Sequence, residues 1–416
     1  MYRIAAIIAI MFWTSPAPAG ENWPQFRGPE GNGRSDAVGL PIRWSETENV
    51  VWKTAVHGRG WSSPVVWGSR IWMTTATTDG HEMFVVCVDL ESGKVLHDFK
   101  LLHNDELQIT NPLNSFASPT PVLEAGRVYV HFGVYGTACL EAGSARVIWS
   151  RRDIYCDHFR GPGSSPIIFG NLLIFHMDGI DVQYVIALDK TTGKTAWKAN
   201  RSADLKKINP DLRKAYSTPL IIKTNGRVQM ISTGAKDTMS YDPATGEELW
   251  RVRHGGFSNA SRPLFGAGLV FVNSGFGRPT LWAVRPDGRG EVTQSHVVWK
   301  CNKGVPMKPS PILLDGLIYM VSDGGVATCL EAESGEVVWQ KRVGGQYSAS
   351  PIEAGGRVYF FSHDDAATVI QSGRRFELLA TNQLDAGFMA SPAVVGKALI
   401  LRTKTHLYRI EKRAGK

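Results

Sequence analysis

The chain has 416 residues, of which 43% are hydrophobic and 20% charged, with 43 glycines and 13 tryptophans. That length admits two or three ordinary domains or one large repeat architecture, and the composition points to turns and sheets rather than long helices or disorder. The formal net charge of +8 is diffuse; no run of Lys or Arg is dense enough to track a nucleic-acid backbone, which leaves a weak preference for anionic surfaces or ligands.

The first residues read as an export signal. Arg3 supplies a positive start, and Ile4 to Trp13 is an apolar run of about ten residues. Thr14-Ser15-Pro16 breaks it, and Ala17-Pro18-Ala19 is a small-x-small pattern before Gly20. The run is half the roughly 20 residues a membrane span needs. Residues 1–19 are therefore expected to be a signal peptide cleaved after Ala19. The mature chain is expected to be a periplasmic or secreted monomer with no transmembrane segment. Residues 20–48 form an N-terminal extension, and 49–411 carry the repeats.

The repeats decide the fold. Each unit opens with a small or polar residue and Pro, then an apolar strand, a Gly-containing turn and a second apolar strand. In the first unit Ser63-Pro64-Val65-Val66 leads through Gly68 to Ile71-Trp72-Met73. Further starts are Ser118-Pro119, Ser165-Pro166, Thr218-Pro219, Arg262-Pro263, Ser310-Pro311, Ser350-Pro351 and Ser391-Pro392. Their spacing is close to the roughly 40–50 residues of a four-stranded propeller blade. Pro opens a strand where its missing donor costs least.

The second half of each unit is sharper. Ala187-Leu188-Asp189-Lys190-Thr191-Thr192-Gly193 leads to Trp197, and the pattern recurs from Ser240 to Trp250 and from Cys329 to Trp339. Cys87 leads to His97, and Cys139 leads to Trp149 with Ala145 in place of glycine. Asp caps the tight turn and Gly accepts its positive φ. The following Trp offers a flat face to the next blade and an N–H to a neighbouring backbone.

After Pro392 the chain holds only three strands, whereas Asn49-Val50-Val51-Trp52-Lys53 resembles the Trp-bearing fourth strand. The expected fold is all-β: an eight-bladed β-propeller of four-stranded antiparallel blades, closed by this N-terminal strand, a closure that removes exposed edges. The five cysteines include no CxxC, so no zinc or thioredoxin-like motif arises. Cys87, Cys139 and Cys329 share one repeat position and read as small buried hydrophobes.

The pattern Ala-x-Asp-x-x-Thr-Gly-x-x-x-Trp at 187–197 resembles the tryptophan-docking motif of pyrroloquinoline-quinone-like (PQQ-like), quinoprotein-type propellers. That family includes PQQ-dependent dehydrogenases and cofactor-free propellers such as the outer-membrane barrel-assembly factors. Asn22-Trp23-Pro24-Gln25-Phe26-Arg27-Gly28-Pro29, with Gly161-Pro162-Gly163-Ser164-Ser165-Pro166, is similar to an exported bacterial subgroup of such repeat proteins. The resemblance covers nearly the whole mature chain and implies the fold, while function lives in sites.

A quinone dehydrogenase of this family implies a calcium site of carboxylate and amide oxygens, an Asp base, a flat aromatic and commonly a vicinal cysteine pair. This chain has no adjacent cysteines. Asn111, Asn114, Asp157, Asn259 and Asp385 could donate oxygens but match no family motif and read as turn residues. His103-Asn104-Asp105-Glu106 and His363-Asp364-Asp365 read as solvated turns, because adjacent strand residues point to opposite faces. No nucleophile elbow, P-loop or HExxH occurs, so no catalytic and no metal residue is assigned.

One constellation remains. Arg59, His158, Arg160, Lys214, Arg262 and Lys308 lie just before inner strands, in segments that reach one mouth of a propeller channel. Together they are expected to form a positive funnel for an anionic ligand or cofactor. Trp61, Phe116, Tyr216, Tyr347 and Phe388 interleave there and could stack on a flat ligand. The sequence thus reads as an exported non-enzymatic scaffold binding an envelope protein or small anionic ligand. The alternative is a PQQ- and calcium-dependent alcohol or sugar dehydrogenase, and a third reading is polysaccharide binding through the long loop around 98–115.

Overall fold

Short apolar runs bounded by Gly turns cannot bury themselves alone, and here they do so by forming sheets that stack around a channel. The computed structural model describes residues 22–364 and 366–412; the expected leader over 1–19 and Asp365 lie outside the described residues. Eight sheets, each built on four antiparallel strands, make eight blades. Blade 3 is representative, with Ile167–Phe169 innermost, then Leu172–Asp178, Gln183–Asp189 and Thr195–Asn200 outermost. Blade 8 takes Ala393–Val395, Ala398–Arg402 and His406–Glu411 from the C-terminal end, and Val50–Ala55 pairs antiparallel with His406–Glu411 as its outer strand. The expected closure is what the structure has. No helix among the described residues is long and apolar enough to cross a membrane.

Strand alternation sends one face of each sheet to the preceding blade and the other to the next. The buried clusters accordingly fall between blades: Trp72 and Cys87 meet Val128 and Leu140, then Tyr129 and Cys139 meet Leu173 and Phe175, and so on around the ring. Cys87, Cys139 and Cys329 sit in these seams as free thiols, and burial pushes Cys87 and Cys329 up to about 12.

The outer tryptophans tie blade to blade. Nε1 of Trp52, Trp149, Trp299 and Trp339 donates to the carbonyls of Leu90, Lys190, Ala332 and Gly373 at 3.0 Å, and that of Trp197 donates to Pro243 at 3.2 Å. Gly93, Gly193, Gly246 and Gly335 lie under the neighbouring indoles, where a Cβ would fall 2.5–2.7 Å from ring atoms. Trp250 departs from this arrangement. Its Nε1 donates to Gln229 Oε1 within its own blade, and the Gln229 amide donates to Pro286 O of blade 5.

Two features differ from the sequence expectation or extend it. Blade 2 opens at Thr120-Pro121, with its inner strand at Val122–Glu124, not at Ser118-Pro119. Of the two consecutive X-Pro pairs, the second is in register with the ring, because Ser63 N donates to Thr120 Oγ1 and Thr120 N donates to Ser165 Oγ. The extension, moreover, is a plug. Trp23 exchanges backbone hydrogen bonds with Val66 of blade 1, and Pro24 O accepts from Leu123 of blade 2. Arg27 then donates to Ser310 O and Pro311 O of blade 6, and Arg34–Ser35 runs parallel to Glu353–Ala354 of blade 7. The segment thus crosses the channel along the inner strands.

Arg262 clamps the plug from blade 5, donating to Phe26 O and Pro219 O, with its guanidinium flat against Gly31. A Cβ on Gly31 would lie 2.2–2.7 Å from that guanidinium, whereas one on Gly39, also at positive φ, would meet nothing. Gly31→Ala is therefore expected to cost about 1–3 kcal/mol more than Gly39→Ala, read as the difference in urea midpoints.

Candidate functional site

Above the plug, the connections that enter the inner strands surround a cavity of ≈ 600 Å³. Phe26, carried into the channel by the plug, contributes to its wall, as do the rings of Trp61, Tyr216, Phe257 and Phe276. Arg160, Lys214 and Lys308 bring three cations to the same lining, against the carboxylate of Asp211.

These charges are arranged rather than scattered. The Lys214 ammonium donates to both the carbonyl and the carboxylate of Asp211. Arg160 lies over the Phe159 ring at 4.8 Å and approaches Asp211 at 3.5 Å. The hydrogen bond from Lys214 is the main cause holding the Asp211 carboxyl below its usual range. Burial lowers the Lys214 ammonium, and Asp211 opposes that shift. Lys308 pairs with Asp323 at 2.9 Å.

The other three expected funnel residues lie elsewhere. His158 is buried against Gly133 and Cys156, its Nδ1 3.5 Å from the sulfur, and burial pushes it down to about 4, so it is neutral. Arg59 sits over Trp61 at 5.3 Å and donates to Pro112 O, stiffening the rim without facing the cavity. Arg262 belongs to the plug. Among the expected aromatics, Trp61 and Tyr216 line the cavity; Phe116 packs on Gly80 and Tyr135, and Tyr347 and Phe388 are buried in the core.

Of the candidate oxygen donors, Asn111 and Asn114 line the cavity, whereas Asp157, Asn259 and Asp385 do not. Asn114 donates to the Arg160 and Pro162 carbonyls and accepts from Ser115 N and Ser118 Oγ. Asn111 accepts from Leu113 N, Asp157 from Phe159 N, and Asp385 faces Lys53. Asn259 is fully buried and donates to Gly234 O. One buried trio has the composition of a hydrolytic triad: Ser232 Oγ lies 2.8 Å from His176 Nε2, and His176 Nδ1 is 3.9 Å from Asp178. Arg201 donates to Ser232 Oγ and holds Asp178 through two bonds, and all four residues are buried. That trio is a seam between blades 3 and 4, away from the cavity.

Sequence reading missed Phe26, Phe257, Phe276, Asp211 and the hydroxyls of the X-Pro starts. Ser63, Thr120, Ser165, Thr218, Ser350 and Ser391 line the cavity. The signal was present in the repeated Ser/Thr before Pro, which reads as architecture until the ring is closed.

Residues 291–416 match the family described as "Outer membrane protein assembly factor BamB". No curated protein matches the chain in sequence. Among solved structures, BamB from Moraxella catarrhalis aligns with a TM-score of 0.61 at 11% identity over 86% of this chain and 99% of that one. A europium-containing methanol dehydrogenase aligns at 0.67 and 10% identity over 93% and 90% of the two chains. The quinohemoprotein alcohol dehydrogenase from Comamonas testosteroni aligns at 0.64 and 11% identity over 95% and 81%. The resemblance to PQQ-like propellers expected from the 187–197 pattern is thus borne out. Identities this low establish the fold, and an assembly factor and dehydrogenases share it.

Proposed function

We propose that this chain is an exported, non-enzymatic binding propeller of the cell envelope, taking a small anionic ligand at the open mouth of its channel. The observation that carries the reading is the cavity lining, where Arg160, Lys214 and Lys308 face aromatic walls with Asp211 as the one carboxylate among the described lining residues. Clefts lined by one sign of charge between low-dielectric walls concentrate counter-charged ligands. Export rests on the Arg3-to-Ala19 pattern, and an envelope setting is supported by the match to an outer-membrane assembly factor.

The residues present fit the dehydrogenase alternative only in part. Pyrroloquinoline quinone, a flat tricarboxylate, suits the three cations and the rings of Trp61 and Tyr216. Calcium does not suit the site. It needs six to eight oxygens, and Asp211 is engaged by Lys214 and Arg160 while Asn114 is engaged by its own loop neighbours. Calorimetric titration of the chain with pyrroloquinoline quinone is expected to show binding that weakens with salt and ignores calcium. Arg160→Ala should weaken it about 2- to 5-fold, as for a partly exposed charge. Calcium-dependent dye reduction with any member of an alcohol and sugar panel would overturn the proposal.

A further inference from the structure

The inner ends of the blades are joined by a chain of hydroxyls. Thr120, Ser165 and Thr218 each accept the backbone N–H of the corresponding residue one blade earlier, at 2.9–3.1 Å. Ser310, Ser350 and Ser391 do the same at 2.8–2.9 Å. A hydroxyl has one O–H to donate as well as two lone pairs. Among the described residues none of these six donates its proton to the protein. Ser63, first in the ring, neither accepts nor donates through its hydroxyl there, and Ser348 is alike. Buried polar groups ordinarily find partners. Five of the six accepting hydroxyls line the cavity, together with Ser63 and Ser348.

The ring breaks at Arg262, where a guanidinium stands in place of a hydroxyl. Arg262 and Arg27 are both buried, and their partners among the described residues are the carbonyls of Pro219, Phe26, Asn32, Ser310 and Pro311 and the amide oxygen of Gln25. None of these partners is a carboxylate. The cavity thus carries a collar of undonated O–H groups, while Arg27 and Arg262, which do not line it, are two buried positive charges without a carboxylate partner among the described residues.

The geometry points to this collar as the seat of the ligand's oxyanion: a carboxylate or sulfonate head enters first and takes the hydroxyl protons, while a ring-shaped body rests between Trp61, Tyr216, Phe257 and Phe276. This rests on the binding reading above and adds the orientation and the class of head group. Arg160, Lys214 and Lys308 draw the anion into the mouth, and the collar holds it.

Titrating the full chain with benzoate, benzenesulfonate and the neutral benzamide tests the assignment. Both anions are expected to bind about tenfold or more tightly than benzamide, and the tighter of the two identifies the preferred head. The double variant S63A/S348A removes two hydroxyls that bond nothing within the described protein, so its melting temperature should not move. Its affinity for the anions should fall about tenfold, with benzamide unaffected. Unchanged anion affinity in S63A/S348A, alongside loss of salt dependence in Arg160→Ala, would overturn the collar and leave the mouth reading standing. Anions binding no better than benzamide would overturn both.

Discussion

Acidification is expected to destabilise this protein steeply between about pH 6.5 and pH 4, at roughly 5 kcal/mol per pH unit. The cause is five histidines held neutral by burial, His131, His158, His176, His254 and His363. Burial pushes His131 and His254 down to about 3 and His158 and His363 to about 4, and drives His176 well below its ordinary value. His131 lies 4.2 Å from the Phe175 ring with Nδ1 on Thr137 Oγ1, and His176 meets Ser232. The unfolded chain takes up these protons as pH falls through about 6.5, while the folded chain refuses them until its depressed values are reached. Stability is therefore fully present above the unfolded value and lost below it, at about 1.4 kcal/mol per unit for each group. Asp237, which burial pushes up to about 6, works against one of the five below that pH. Urea midpoints followed across this range check the slope, and His131→Gln should flatten it by about a quarter. A midpoint that does not move between neutral pH and pH 5 would refute the account.

The ring itself was legible because its signals are local and repeated. An Asp-x-x-Thr-Gly turn followed by Trp carries its own geometry, and Gly193 under Trp149 is what the pattern implies once two such units stand side by side. The closing strand was legible for the same reason, since Val50–Ala55 has the Trp of a fourth strand and no blade of its own. The plug was not, because residues 22–35 have neither periodicity nor a repeat partner, and what places them is the backbone of four distant inner strands. That also explains the division of the expected funnel. Arg160, Lys214 and Lys308 lie in loops and reach the cavity, whereas Arg262 occupies a hydroxyl position of the ring and turns to the plug's carbonyls. Phe276 could not have been found by looking just before inner strands, because it lies between Leu269–Asn273 and Leu281–Val284.

Asp178→Asn should be the most damaging conservative substitution in the ring, lowering stability by about 3–5 kcal/mol. Arg201 leaves the outer strand of blade 3 and turns inward. Its Nε and one terminal nitrogen donate to the two oxygens of Asp178 at 3.0 and 2.7 Å, and the other donates to Ser232 Oγ of blade 4 at 2.6 Å. Side-chain exposure at the ion pair is 2% and 1%, so water cannot replace the lost anion. An amide of the same shape keeps the packing and removes the charge, which leaves the guanidinium buried without a counter-ion. The cost of that orphaned cation exceeds the net worth of the pair, because taking both charges out of water is itself expensive. Asp178→Asn/Arg201→Met should therefore be more stable than Asp178→Asn alone, although it lacks one more polar partner. Urea denaturation of the wild type, both single variants and the double variant closes the cycle. A double variant less stable than Asp178→Asn would mean that Arg201 serves blade 4 through Ser232 more than it serves Asp178, and would shift the weight of this seam from the ion pair to the hydroxyl.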